Sequence, residues 1–340
     1  MTLYPLKFAP RFVDKIWGGR KFETVLGKKI PDGLIGESWE LYDFPPGVMD
    51  KSGQWVSAVV ANGALAGKTL HELILLAGKD LYGDVALVNG GQFPILIKFL
   101  DARDDLSVQV HPDQAYCDAH PGSFLKSESW YVMQHEPDAR LLKGLAPGAT
   151  REDFAQAIAA GTVESMIRTI KAKEGDCHYL PSGTIHALGA GILCAEVQTP
   201  SDTTFRVYDF NRVDPSTGKT RGLHVQQAME CIDFSGKPEV VEPRRHSATF
   251  HTTVTRLCSC EFFTMEKVRF VAGVQEPIPY DQPVVWMMLS GNAEIHVEGM
   301  AEPTRLTKGD TVLMPAKMNK PVLKTINDCV WIEVTFPTAR

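Results

Sequence analysis

Residues 106–113, which read LSVQVHPD, alternate apolar and polar side chains. In an extended strand, residues two apart share one face, so Ser107, Gln109 and His111 lie together and the apolar residues point to the other side. The amide of Gln109 and the imidazole of His111 can then reach a single point, as two ligands of one metal ion would. Taken alone, the same pattern also fits a solvent-exposed polar face that happens to contain a histidine.

Two other segments carry a carboxylate and a second imidazole. Lys126 and Glu128 share a face if their segment is a strand, and the alternative is a surface ion pair of little energetic value. His186 follows a Pro-x-Gly turn that delivers its imidazole at the start of a strand, and its alternative is a purely structural role. Joined with Gln109 and His111, these groups predict a four-ligand site of nitrogen and oxygen donors. Two histidines and one carboxylate suit iron(II) as well as zinc, so the residue types leave the metal open.

Other charged side chains near these segments predict an anionic ligand. Arg206 lies on a predicted strand with Tyr208 on the same face, and its planar guanidinium suits a phosphate or an enediolate oxygen. The alternative for Arg206 is an exposed salt bridge. Asp202 lies just before the same strand. Lys98 stands inside the apolar run 93–100, where a lysine lies at the solvent end of a strand or pairs with an anion.

The elements that position these groups are mostly short strands separated by glycine, proline, asparagine and aspartate turns. Predicted strands include residues 106–110, 130–133, 203–210, 264–271, 284–289 and 293–297. Helices are predicted at residues 70–77, 150–160, 162–171 and 224–232. A capping box of Thr69 and Glu72 precedes the first helix, and Gly161 ends the second. The middle two form a small helical insertion near residues 148–173.

A weak internal repeat relates the two halves of the chain. Residues 175–181 read GDCHYLP and residues 309–315 read GDTVLMP, so Gly, Asp and Pro fall in register. His186 follows the first copy at the offset at which Lys320 follows the second. Because a lysine replaces the histidine, we expect two related barrels of which the second binds no metal.

The length of the chain is sufficient for two domains, and its composition is compatible with a small-molecule substrate. The 340 residues allow a metal-bearing domain over 1–240 and a C-terminal domain over 241–340, with a linker at 236–245. The net charge of −6 argues against nucleic acid as a partner, and no apolar run approaches the about 20 residues that span a bilayer. The seven cysteines include no Cys-x-x-Cys pair, which favours a cytoplasmic location over a disulfide framework. The oligomeric state stays open.

Taken together, the motifs resemble the type I mannose-6-phosphate isomerases, in particular the shorter bacterial members of that family. The matching segments, in the family's order, are residues 106–113, 126–128, 181–186 and 201–209. The flanking segments 16–19, 36–40 and 94–98 agree, whereas the C-terminal part resembles the family more loosely. The resemblance implies a mainly β fold of cupin (jelly-roll) barrels. It also implies one zinc ion per chain, held by Gln109, His111, Glu128 and His186.

The activity that the resemblance implies is the interconversion of mannose-6-phosphate and fructose-6-phosphate through a cis-enediol. This reaction needs a general base and stabilisation of the developing oxyanions. Lys126 and Asp202 are competing candidates for the base, and Arg206 adds a fixed positive charge. Lys98 and Ser107 are expected to contact substrate oxygens. The expected partner is therefore a small sugar phosphate.

Two other kinds of function stay open. One is another metal-dependent cupin enzyme, either a sugar epimerase or a dioxygenase, and the chain has no closely spaced His-x-His pair in support of the latter. The other is a non-catalytic, sugar-sensing cupin. The presence of Lys126 and Arg206 beside the candidate ligands argues against a non-catalytic, sugar-sensing function.

Overall fold

Strands make up most of the regular structure in the computed structural model, which describes residues 1–44, 56–214, 217–236 and 243–337. In the first part of the chain they are β1 (Leu6–Lys7), β2 (Arg11–Gly19), β3 (Ile35–Leu41), β4 (Asp43–Phe44), β5 (Val56–Ser57), β6 (Leu96–Ala102), β7 (Val108–Val110), β8 (Glu128–His135), β9 (Arg140–Leu145), β10 (Ile167–Lys171), β11 (Cys177–Leu180), β12 (His186–Leu188), β13 (Ile192–Gln198), β14 (Phe205–Tyr208), β15 (Val213–Asp214) and β16 (Lys219–Thr220). The C-terminal strands are β17 (Arg245–Ala248), β18 (Thr252–Ser259), β19 (Thr264–Phe270), β20 (Gln275–Pro277), β21 (Val284–Ser290), β22 (Ala293–His296), β23 (Thr304–Leu306), β24 (Thr311–Met314), β25 (Val322–Thr325) and β26 (Cys329–Thr335). The α-helices are α1 (Lys21–Thr24), α2 (Leu70–Ala77), α3 (Lys79–Tyr82), α4 (Gln114–Ala119), α5 (Arg151–Ala160) and α6 (Val225–Cys231).

Two antiparallel sheets form the first barrel. Their strand orders are β11-β8-β13-β6-β2-β3 and β10-β9-β12-β7-β14. The apolar face of β7 carries Val108 and Val110, which share a buried cluster with Phe154 of α5 and Ala228 of α6. The opposite face of β7, which carries Gln109, is therefore directed toward the barrel interior. This arrangement confirms the alternation predicted for this segment, because the two helices cover one side of the sheet.

The C-terminal barrel is built from a larger and a smaller sheet. Their strand orders are β1-β24-β21-β26-β19-β18-β17 and β20-β25-β22-β23. Inside it, the rings of Trp286 and Trp331 stack with centroids 4.4 Å apart. The N-terminal strand β1 pairs with β24, with Leu6 opposite Leu313, so the start of the chain joins the second barrel. The mainly β, two-barrel cupin fold is thus confirmed, and the domain boundary near residue 240 stays a prediction.

The predicted helices are only partly correct. Helices α2, α5 and α6 form close to the expected limits, and the capping box of Thr69 and Glu72 is present at α2. The helix predicted for residues 162–171 is wrong. A short 3-10 helix, Val163–Met166, is followed there by β10, which pairs with β9. The β-branched residues of β10 favour an extended chain once a neighbouring strand edge is available.

The remaining differences concern shorter elements. Helices α1, α3 and α4 were not predicted, since a helix of four to six residues gives little periodic signal. Of the predicted linker at 236–245, residues 237–242 lie outside the described residues, and Arg245 already begins β17. Within the described part of the chain, no helix is both long and apolar enough to cross a membrane.

Candidate active site

Three of the predicted metal ligands converge in the interior of the first barrel. His111, Glu128 and His186 are buried, and one ligand atom from each lies within 4.8 Å of the others. The Nε2 atom of His186 is 3.2 Å from Glu128 Oε1, and that of His111 is 3.4 Å from Glu128 Oε2. Both sheets contribute, because Glu128 begins β8 and His186 begins β12.

Hydrogen bonds to main-chain carbonyls orient both imidazoles. His111 Nδ1 donates to the carbonyl oxygen of Thr203 at 3.0 Å, and His186 Nδ1 donates to that of Thr184 at 2.8 Å. With the proton held on Nδ1, each Nε2 carries a lone pair that is directed at Glu128. This is the arrangement that a histidine ligand of a metal ion requires.

Gln109 lies beside the other three residues. It stands opposite His186 in the ladder between β7 and β12, and its side-chain Nε2 is 3.5 Å from His186 Nε2. Its Oε1 accepts a hydrogen bond of 3.4 Å from Ser107. A half-turn of the amide exchanges these two atoms at little steric cost and turns the oxygen toward the imidazoles. The four predicted ligands therefore come together.

A cation fits this group. Apart from the Lys126 ammonium, which lies 2.9 Å from Glu128 Oε2, no described residue offers a hydrogen bond to His111 Nε2 or to the oxygens of Glu128. Burial and the nearby Lys126 ammonium lower the pKa of His111 to about 3, so this imidazole is neutral at pH 7. Burial raises the pKa of Glu128, but Lys126 and His111 lower it by more, and the carboxyl is ionised. Buried acceptors that face one another are costly unless a positive ion lies between them.

Local sequence features place the ligands at this point. Gly183, in the turn before β12, has a φ of +84°, which a residue with a Cβ adopts at a cost. Its N–H donates to the carbonyl oxygen of His111 at 2.9 Å, so the turn that leads to His186 is tied to the end of β7. The N–H of Lys126 donates to the carbonyl oxygen of Pro112 at 3.1 Å, which ties the start of β8 to the same point.

The four predicted ligands, Gln109, His111, Glu128 and His186, are called the metal group below. A cavity of about 220 Å³ adjoins it. The predicted site residues that line it are Lys98, Ser107, Gln109, Lys126, Asp202 and Arg206. The Lys126 ammonium is buried and lies 2.9 Å from Glu128 Oε2. Arg206 stands opposite Gln109 in the ladder between β14 and β7, and its Nε donates to Ser107 Oγ at 3.1 Å. The structure thus brings every predicted site residue to one place, and their individual roles stay predictions.

Sequence reasoning missed several charged residues of this cavity. Lys15, Glu37, Glu196 and Arg221 also line it. Glu196 lies inside the apolar strand β13. Because a carboxylate within an apolar run indicates a buried and paired charge, the sequence could have identified this residue. Lys15 and Arg221 carried no such signal, because isolated cations in polar surroundings are common.

Lys98 is paired with two carboxylates rather than placed at a solvent end. Its ammonium lies 3.4 Å from Glu196 Oε1 and 3.5 Å from Glu37 Oε2, and all three residues are buried. Burial lowers the pKa of Lys98, but the two carboxylates raise it by more, so the lysine stays charged. Burial and the charge of Glu128 raise the pKa of Glu196. Glu37 is further held by Lys15 at 2.8 Å.

Replacement of Lys98 by methionine is expected to lower the free energy of unfolding by about 3–5 kcal/mol at pH 8, because it leaves Glu37 and Glu196 buried without their shared cation. The difference in unfolding free energy between the variant and the wild type should become smaller toward pH 5. Glu196 then takes up a proton, and a carboxyl whose pKa is raised in the folded state stabilises the fold as the pH falls. Denaturant unfolding at both pH values measures this. A deficit that grows at pH 5 would contradict it, and Lys317→Met, on the surface, is the control.

Comparison with known proteins identifies the family. Residues 6–141 match the family model described as phosphomannose isomerase type I, catalytic domain. The chain is 38% identical over 314 residues to a mannose-6-phosphate isomerase of Streptococcus mutans, and the match covers 92% of each chain. The chain belongs to the type I phosphomannose isomerase family. A second relative in the family, mannose-6-phosphate isomerase of Bacillus subtilis, is 34% identical over 333 residues, which are 97% of this chain and 99% of that one.

Solved structures agree with membership of the type I phosphomannose isomerase family. The crystal structure of a mannose 6-phosphate isomerase from Bacillus subtilis has a TM-score of 0.85 at 30% identity, with 98% of this chain and 100% of that chain covered. A variant of phosphomannose isomerase from Salmonella typhimurium has a TM-score of 0.73 at 13% identity, covering 98% and 100% of the two chains. At that identity the likeness shows the fold alone.

Proposed function

We propose that this protein interconverts mannose-6-phosphate and fructose-6-phosphate, with one zinc ion per chain, through a cis-enediol. The observation that carries the proposal is the junction of a buried group of metal ligands with a cavity lined by cationic side chains. A sugar phosphate needs both features, because its reacting oxygens must be polarised and its phosphate must be neutralised. The names of the relatives agree with this activity.

The zinc ion is held by Gln109, His111, Glu128 and His186 in this proposal. Imidazole nitrogen and carboxylate oxygen are ordinary zinc ligands. When bound, the ion would supply Lewis-acid chemistry, which polarises substrate oxygens and stabilises developing negative charge. The Nδ1 hydrogen bonds described above keep each Nε2 free to bind it.

Side chains of the cavity carry out proton transfer and charge stabilisation. Lys126 is the first candidate for the base that moves the proton between C2 and C1, a role that requires its neutral amine, since its side-chain nitrogen adjoins the candidate ligands and the residue lines the cavity. Asp202, which is exposed at the cavity, is the competing candidate. Arg206 supplies a fixed positive charge opposite Gln109, and a charge that is already oriented need not reorganise during the reaction. Ser107 and Lys98 contact the substrate oxygens.

Metal removal tests the proposal directly. The purified protein should convert mannose-6-phosphate in a coupled assay and contain about one zinc ion per chain. Chelation should lower the rate by at least about 100-fold, and added zinc should restore it, because several kcal/mol of transition-state stabilisation depend on the ion. Iron(II) added to the chelated protein is the control for metal identity. Full activity in protein shown by metal analysis to be metal-free would refute the proposal.

We further propose the two-domain division at about residue 240, with the metal in the first domain. The cytoplasm is the proposed location. The seven cysteines are all free thiols, including the neighbouring pair Cys258 and Cys260, as expected in a reducing compartment. The proposed partner is a small sugar phosphate, and neither nucleic acid nor a membrane surface is proposed as a partner.

A further inference from the structure

Three guanidinium groups gather around one carboxylate beside the cavity. Arg221 Nε donates to Asp209 Oδ2 at 2.7 Å, and its Nη2 donates to the other oxygen of the same carboxylate. Arg212 donates to Asp209 as well. Arg206 is the third member, because burial lowers its pKa and the charges of Arg221 and Arg212 lower it further. We call these four residues, Arg206, Asp209, Arg212 and Arg221, the arginine cluster.

The arginine cluster is held by a defined turn. Asp209 follows the end of β14, and the next two residues, Phe210 and Asn211, have φ values of +54° and +53°. Such left-handed residues are uncommon without glycine, and they turn the chain back so that Arg212 reaches Asp209. Arg212 also donates to the carbonyl oxygen of Asp105 and packs over the ring of Phe210. The Asp209 carboxylate is therefore fixed in place, with its side chain 6% exposed.

The arginine cluster carries an excess of positive charge. Three guanidiniums face one carboxylate, and among the described residues Arg206 forms hydrogen bonds to Ser107 Oγ and to the carbonyl oxygen of Gly222 but no ion pair. Of the other acidic residues that line the cavity, Glu37 and Glu196 pair with Lys98, and among the described residues Asp202 forms no ion pair with Arg212 or Arg221. Partly buried like charges of this kind are unfavourable without an anion.

Arg221 is suitably oriented to bind that anion. A guanidinium has five N–H donors in a planar fork, and the bond to Asp209 uses the Nε–Nη2 edge. In the part of the chain that the structure describes, no acceptor occupies the Nη1–Nη2 edge, which can take a second bidentate partner, and Arg221 lines the cavity. Arg212 belongs to the same cluster but is not among the residues that line the cavity.

One wall of the cavity leads from the candidate metal ligands toward the arginine cluster. The chain runs from His111 at the metal group through Ser107, which binds Arg206, to Asp105, whose carbonyl oxygen binds Arg212. At about 3.3 Å per extended residue, the Cα atoms of His111 and Ser107 are at most about 13 Å apart. Gln109 and Arg221 line the same cavity, so an open six-carbon chain with its reacting end at the candidate ligands can extend its far end toward Arg221.

We propose that Arg221 is the anchor for the phosphate group of the substrate, and that Asp209 is a positioning residue that holds the Arg221 guanidinium in the cavity. Arg206 then lies between this anchor and Gln109. The inference rests on the proposed function for the identity of the sugar, but not for the binding of a phosphate dianion.

The experiment compares Arg221→Gln with the zinc-loaded wild-type protein. Calorimetry measures the Kd of inorganic phosphate and of mannose-6-phosphate, and the coupled assay measures kcat and KM separately. Loss of one charged hydrogen-bonding partner should raise both Kd values and the KM by between about 10-fold and 100-fold. The kcat should change by less than about threefold, since the anchor is remote from the reacting carbons. Asp209→Asn should change the same quantities in the same direction, by less.

Arg212→Gln is the matched control, since it removes the same charge from the arginine cluster without removing a residue that lines the cavity. It should raise the Kd of phosphate several-fold less than Arg221→Gln does, since Arg212 only helps to hold Asp209. An Arg221→Gln protein that binds phosphate as the wild type does would overturn the inference, as would equal losses in the two glutamine variants. If Arg221→Gln does not fold, Arg221→Lys, which keeps the charge but not the fork, should give a smaller rise in Kd. A wild-type protein that binds phosphate through Arg221 but isomerises no sugar would refute the proposed function and leave the inference standing.

Discussion

Glu128→Gln is expected to remove the bound metal ion and to lower kcat/KM for mannose-6-phosphate by at least about 1,000-fold. The carboxylate of Glu128 lies 3.2 Å from His186 Nε2 and 3.4 Å from His111 Nε2, so it is the candidate ligand that lies next to both imidazoles. The glutamine side chain has the same shape as glutamate but no charge. It therefore cannot neutralise the charge of a divalent ion in a buried site. Transition-state stabilisation by the ion, worth several kcal/mol, is lost with it.

The measurement pairs metal analysis of the purified variant with the isomerase assay. Glu230→Gln is the control, because Glu230 lies near His120 on the surface and its side chain is 41% exposed. It should keep both the metal and the activity. A Glu128→Gln protein that retains its metal ion and full turnover would show that the ion is held elsewhere, and the proposed site would have to be abandoned.

Lys126→Met is expected to leave the metal in place and to lower kcat by about 100-fold to 10,000-fold, the usual contribution of a general acid or base. Its ammonium nitrogen contacts Glu128 and its side chain is 5% exposed, so the residue is held close to the reacting end of the substrate. Lys126→Arg separates two roles. An arginine keeps the positive charge but does not release its proton in proteins, so it should be nearly as slow as methionine if Lys126 transfers the proton.

Asp202→Asn is the counterpart in the same series, because Asp202 is the other candidate base. A loss of about 100-fold or more in Asp202→Asn, together with near wild-type turnover in Lys126→Arg, would assign the proton transfer to Asp202 and leave Lys126 an electrostatic role. Normal turnover in both Lys126→Met and Asp202→Asn would exclude both residues as the base. Metal content, measured for every variant, keeps these outcomes separate from loss of the ion.

Local periodicity explains what could be predicted for the fold. The polar face of Ser107, Gln109 and His111 follows from the two-residue period of a strand, and the structure retains it because helices α5 and α6 cover the opposite, apolar face. Helix α2 was predictable from its capping box, and helix α5 from Gly161 at its end. The segment 162–171 was wrongly predicted to be a helix, because its residues form a strand only when β9 lies alongside.

Long-range contacts explain what was missed at the site. The pairing of Lys98 with Glu196 and Glu37 joins three strands, β6, β13 and β3. The spacing of these residues along the chain does not predict this pairing. In the same way, Arg221 enters the cavity because Asp209, on the far side of a turn, holds it there.

The sequence by itself determined the residue types of the candidate metal ligands, the faces on which they lie and the family to which the chain belongs. Each of those properties depends on a few neighbouring residues. Only the tertiary structure decided which charges meet, which are buried and which side of a cavity they line. Electrostatic interactions depend on distance and on the exclusion of water, and both are properties of the folded barrel rather than of the order of residues along the chain.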